Sequence, residues 1–293
     1  MRPVRTLVLG VVIGCSSLAV PTLALAKPSG GPLDITNTDT GRRLAGEAAE
    51  RQSSRRHVDA DHLKVWRLGP GDYLVGDAWP KNLKADMSAE ATGLTAVSMT
   101  YEVGSSPTIP EVRRSLGAAS VLGATWSYVS GACFTRLQSA FGWLDSCYQV
   151  HKLTNDNDPR DFYKLEQYGS AGAMVLGKIY SGWLGAVKAA SSSAMSWIDW
   201  SPRRTVTGGC QSIPLSVSAL GVSFSASGIM CERWNVSKYA DPGHYREEWS
   251  CGCLPTLGQP YPNVREIDYL QVVSVANGKP AIWTLSAGFQ ALP

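Results

Sequence analysis

Asp199, Glu166 and His151 are the side chains with which this chain could run acid–base chemistry, and none sits in a pattern that demands it. Asp199 lies in Trp197-Ile198-Asp199-Trp200-Ser201-Pro202. A carboxylate beside aromatic rings suits a carbohydrate, whose faces stack on rings while its hydroxyls bond to the acid. Glycoside hydrolysis needs a second carboxylate about 5–10 Å away, for which Glu166 is the candidate. Strict strand alternation puts Trp197 and Asp199 on one face and Trp200 with Ile198 on the other, so only Trp197 can flank the acid. The competing reading buries both tryptophans and makes Asp199 a cap on the Ser201-Pro202 turn, the commoner outcome in a β core. His151, in Tyr148-Gln149-Val150-His151-Lys152, alternates onto a polar face with Gln149. Such a histidine is more often surface than general base. The nearest approach to a Gly-x-Ser-x-Gly nucleophile motif is Gly221-Val222-Ser223-Phe224-Ser225, which fails at its last position.

Two segments carry metal-ligating residue types. Asn155-Asp156-Asn157-Asp158-Pro159-Arg160-Asp161 could hold calcium through Asp156, Asp158 and Asp161. Arg160 intrudes, however, and Asn and Asp favour turns through their own side-chain hydrogen bonds. Cys251-Gly252-Cys253 with His244 could start a zinc site but lacks a second ligand pair at the usual spacing. A disulfide across Gly252 is the competing reading.

The cysteines also bear on compartment. Arg2 and Arg5, an apolar run from Thr6, and Ala24-Leu25-Ala26 read as a signal peptide over residues 1–26. A lipoprotein box ending at Cys15 is the minor alternative; both place the protein outside the cytoplasm. Six cysteines then remain, an even set that suits disulfides in an exported chain. Cys133 pairs with Cys147 across a hairpin that opposes Leu137 and Trp143. Cys210 pairs with Cys231 at the base of a second hairpin. Turning at Leu220-Gly221, that hairpin sets Ala219 against Val222, Val217 against Phe224, Leu215 against Ala226 and Ile213 against Gly228. These pairs share an apolar face, and Ser216, Ser218, Ser223 and Ser225 take the other.

The elements that would position these residues are strands. Residues 27–64, rich in Gly, Ser, Arg and Ala with no evident apolar stripe, read as a flexible linker or propeptide. Residues 65–117 read as a short β-containing N-terminal extension, and 118–293 as an antiparallel β domain. Within the latter, Trp183 to Ala190 could form a short helix despite Gly182 and Gly185. The fold class expected is all-β, a disulfide-containing sandwich or barrel-like domain with abundant tryptophan for its core.

Of the 27 basic residues, Arg2 and Arg5 lie in the signal, which leaves the remainder nearly balanced against 24 acidic ones. Balance argues against nucleic acid as a partner, since phosphate binding needs a concentrated basic face. No later apolar run approaches the ~20 residues of a membrane helix. Three functions survive. The first is a non-catalytic exported protein that binds a glycan or cell-surface ligand. The second is a pore-former that inserts the 210–231 hairpin, whose nine-residue arms match the ~9–11 residues of a membrane-crossing strand. The third is a secreted, glycosidase-like hydrolase.

Overall fold

Period-two alternation shapes most of the chain: along Thr95–Gly104, Val97, Met99, Tyr101 and Val103 are buried while Ser98, Thr100 and Glu102 are partly exposed. The computed structural model describes residues 31–53, 58–89, 94–105, 123–173, 178–192, 194–202, 211–230, 234–237, 244–250 and 264–292. The first elements are β1 (Leu33–Asp34), α1 (Asp39–Gln52), β2 (Lys64–Gly69), β3 (Asp72–Gly76), β4 (Lys81–Ala89) and β5 (Thr95–Gly104). Four long strands follow: β6 (Thr125–Gln138), β7 (Gly142–Thr154), β8 (Arg160–Ala173) and β9 (Lys178–Lys188). Then come β10 (Met195–Ser201), β11 (Gln211–Ala219), β12 (Val222–Met230), β13 (Trp234–Ser237), β14 (His244–Ser250), β15 (Val264–Ala276) and β16 (Ile282–Leu292).

The strands form an antiparallel sandwich, as the sequence leads one to expect. An eight-stranded sheet runs β1-β2-β3-β6-β7-β8-β15-β10, and a six-stranded one runs β13-β14-β9-β16-β5-β4. Their facing sides bury one core, with Phe134, Leu144, Val150, Leu165, Tyr269 and Val273 packed against Met99, Tyr101, Trp283, Leu285 and Phe289. Polar ties cross it. Tyr101 reaches Ser146 Oγ at 2.8 Å, and the fully buried Arg136 is held by Asp72 (3.0 and 2.7 Å) while donating to the carbonyls of Asp86 and Ser98. Arg136 thus bonds β6 of one sheet to β4 and β5 of the other.

The large sheet has a second covered face. At one end, Leu44, Ala45, Ala48 and Ala49 of α1 pack on Leu63, Val65, Val75 and Leu137. Gln52 Nε2 donates to Thr135 Oγ1 at 2.8 Å, and that hydroxyl donates to Asp145 at 2.5 Å. Residues 39–52 therefore correct the expectation of a flexible segment without an apolar stripe. The stripe exists, but it is made mostly of alanine. Thr38 caps the helix by accepting from the Gly41 amide at 3.0 Å. Within residues 65–117, read as an extension, β2 to β5 supply strands to both sheets.

Other expectations fare variously. Cys133 and Cys147 face each other in register and are disulfide-bonded, and Leu137 opposes Trp143. The expected helix from Trp183 is instead the continuation of β9. There Trp183 lies across from Gly288, where a Cβ would come within 2.1 Å of its ring. The indole fills the space that the glycine leaves. The pairing of Cys210 with Cys231, the fate of Cys251 and Cys253, and the side chain of His244 lie outside the described residues.

Candidate functional site: a hairpin docked on a polar floor

At the other end of that same face sits the β11–β12 hairpin. Its register is Ile213 to Gly228, Leu215 to Ala226, Val217 to Phe224 and Ala219 to Val222, as the sequence predicts. Leu220 (φ +50°) and Gly221 (φ +80°) make the tight turn, both in the left-handed region that two-residue hairpin loops require. The hairpin belongs to neither large sheet; it is a two-stranded sheet of its own. Leu215, Val217 and Ala219 are buried against Leu153, Phe162, Leu270 and Val272, with Val222, Phe224 and Ala226 packed alongside. Ser216, Ser223, Ser225 and Ser227 are exposed. Side-chain packing, not a strand ladder, holds the apolar face down.

The outward edge of β11 shows how the hairpin is retained. The Ser218 amide donates to Asp199 Oδ2 at 2.8 Å, and the Ser216 amide donates to Ser201 Oγ at 3.1 Å. The next outward position is Pro214, which has no amide hydrogen. An edge whose donors would otherwise invite another strand is thus met by two side chains of β10 and one proline. Asp199 Oδ1 also accepts from the Trp200 amide at 2.8 Å.

This placement corrects the strict alternation expected for β10. A bulge lies between Trp197 and Asp199, which oppose the consecutive residues Val273 and Val272 of β15. Trp197 and Trp200 consequently pack together on the core side, ring centroids 6.0 Å apart, while Asp199 points to the hairpin. Trp197 and Asp199 do not share a face.

Beneath the hairpin the floor is partly ionic. His151 and Lys164 are directly opposed on β7 and β8. The Lys164 ammonium lies 2.9 Å from the Phe224 ring centroid and 3.5 Å from Glu166, with no solvent exposure. The His151 ring is 6.1 Å from that of Phe224, 5.7 Å edge-on from Tyr128, and its Nε2 is 3.3 Å from Gln149. Burial, helped by the charge of Lys164, pulls the His151 pKa down to about 4. Burial likewise pulls Lys164 down to about 8, against the opposing pull of Glu166. A cavity of about 210 Å³ remains between Glu166, Gln149 and Asp268 of the floor and Leu215, Ala226 and Ser227 of the hairpin. The fit there is incomplete.

Of the residues singled out from sequence, Asp199, Glu166 and His151 thus meet the hairpin, as a clasp and as part of its floor. Lys164 and Tyr128 carry no signal in the sequence, and Phe224 and Ser201 are legible there only as part of the hairpin's apolar face and of a turn. The three loop carboxylates turn to separate partners. Asp158 accepts from the Arg160 amide (2.9 Å) and guanidinium (3.1 Å), and Asp156 from the Asp158 amide (3.1 Å). Asp161 pairs with Lys152 (3.1 Å) and accepts from the Gly278 amide (2.7 Å). Among the described residues no three metal-ligating side chains cluster, and no helix is long and apolar enough to cross a membrane.

No protein-family model and no curated protein matches the chain. One of the solved structures that match, described as "Pore forming protein", has a TM-score of 0.34 and 7% identity over 66% of this chain and 78% of that one. A likeness so slight carries no weight for function.

Proposed function

We propose that the chain is an exported protein that perforates membranes by releasing and inserting the hairpin of residues 210–231. The observation that carries this reading is the hairpin's attachment: an amphipathic two-stranded sheet docked by its apolar face, with no backbone ladder to either large sheet among the described residues. A strand integrated into a sandwich can leave only by breaking its ladder. Among the described residues, this hairpin leaves by parting side chains and the hydrogen bonds that Ser216 and Ser218 make to Ser201 and Asp199. Each nine-residue arm spans about 30 Å when extended, enough to cross the apolar layer at the tilt of a membrane barrel. Leu215, Val217, Phe224 and their neighbours would then face lipid, and the serines would face water. The Cys210–Cys231 bond expected at the base would keep the arms together through this movement, because release parts no arm from its partner.

Leakage of an encapsulated dye from phosphatidylcholine vesicles tests the reading. Micromolar protein is expected to release dye, and the Ser223→Asp/Ser225→Asp double variant is expected to make the conducting state more cation-selective in planar bilayers. Both positions are exposed, and thermal melting checks that the variant folds. Absence of leakage from either protein at pH 5 and at pH 7.5 would overturn the proposal.

A further inference from the structure

We infer that His151 and Lys164, side by side under Phe224, form an acid-sensitive release for the hairpin, a regulation that rests on the hairpin being the membrane-active element. The geometry sets this up. One aromatic ring of β12 roofs two basic side chains that neighbouring strands hold in register, and removing that roof returns both to water. Among the described residues, the other ionisable groups around His151 are few. β6 contributes Tyr128, β8 contributes Glu166 beside Lys164, and further along the same face lie Asp268 of β15 and Asp199 of β10. Gln211–Met230 contains no charged residue, so the hairpin offers no carboxylate to a second cation.

The sign follows from linkage. With the hairpin docked, His151 titrates near 4; once released, it returns toward the ordinary histidine value of about 6.5. A group depressed in the docked state supports docking above its free pKa and withdraws that support as pH falls toward its docked pKa. Lys164 acts in the same direction at higher pH, being depressed to about 8 when docked. Through the neutral range it is therefore a buried cation, and protonating His151 adds a second cation directly opposite. For His151 alone, the released-to-docked ratio is expected to rise about 30-fold from pH 7.5 to pH 5. Below pH 4 the dependence levels off, because both states then carry the proton.

Hydrogen exchange of the full-length protein at pH 7.5 and 5.0, corrected for intrinsic exchange, reads the ratio directly. The informative amides are Ser216 and Ser218, whose acceptors exist only in the docked state. Wild type is expected to show the roughly 30-fold increase at these amides while β7 and β8 stay protected. His151→Gln is expected to reduce it below about threefold, and Lys164→Met to slow exchange at both pH values. Should His151→Gln not fold, His151→Asn serves as the neutral variant, with thermal melting as the check. A pH-independent wild type, or a neutral variant that retains the full increase, would overturn the inference. Dye release from phosphatidylcholine vesicles separates the two ideas. Acid opening without leakage sustains the switch and removes the membrane reading; leakage with pH-independent opening does the reverse.

Discussion

Asp199 shows how a single side chain changes meaning when its neighbours are known. In the sequence it is an acid between tryptophans; in the fold it accepts the Ser218 amide at 2.8 Å and the Ser218 hydroxyl at 3.3 Å, holding an edge that no described strand covers. Replacing it with alanine removes the acceptor of a desolvated amide, a loss of about 1–3 kcal/mol. Asp199→Ala is therefore expected to speed exchange of the Ser218 amide by about fivefold to 150-fold and to lower the protein concentration needed for dye release. Asp199→Asn keeps a carbonyl oxygen and should fall between the two. Unchanged exchange in Asp199→Ala would mean that the clasp contributes nothing. The sequence could not reveal this role, because the bulge at Ile198 reverses the alternation and leaves no compositional mark. Lys164 was equally hidden. Phe162-Lys164-Glu166 alternates as a half-polar outer face would, and only the docked hairpin turns that face into an interior.

At the scale of elements, legibility tracked the strength of the local pattern. The register of the hairpin could be read residue by residue, since alternation and turn position agree on one answer. The register of Cys133 with Cys147 was legible for the same reason. Helix α1 was not. Its buried side is Gly41, Leu44, Ala45, Ala48, Ala49 and Gln52, and alanine can line a close helix–sheet contact without raising the hydrophobic signal. The hairpin turn departs from its own rule. Type I′ turns favour Asn or Asp before the glycine, yet Leu220 occupies a positive φ. A branched apolar residue there costs on the order of 1 kcal/mol. Leu220→Asn should therefore slow exchange of the flanking Ala219 and Val222 amides about fivefold, by relieving that cost. Exchange that is unaltered or faster would show that the turn carries no such strain.

Across the whole molecule, the proposed movement requires one part to be weakly held and the rest to be firm. The two sheets satisfy the second condition through a continuous core and through Arg136, whose side chain is 1% exposed and whose guanidinium is bonded to Asp72 and to carbonyls of β4 and β5. Removing one member of such a pair strands the other, at a cost of about 3–5 kcal/mol. Arg136→Ala is thus expected to lower the melting temperature by about 6–20 degrees and to loosen β5 and β6 together. The hairpin amides Ser216 and Ser218 report a different contact, on the opposite face of the large sheet, and at 25 °C should exchange at the wild-type rate. If hairpin opening were only the first stage of general unfolding, Arg136→Ala would accelerate those amides in step with β5 and β6. Separate responses would establish docking as a local equilibrium on a rigid sandwich, the condition under which an acid-sensitive floor can release the hairpin without dissolving the protein that delivers it.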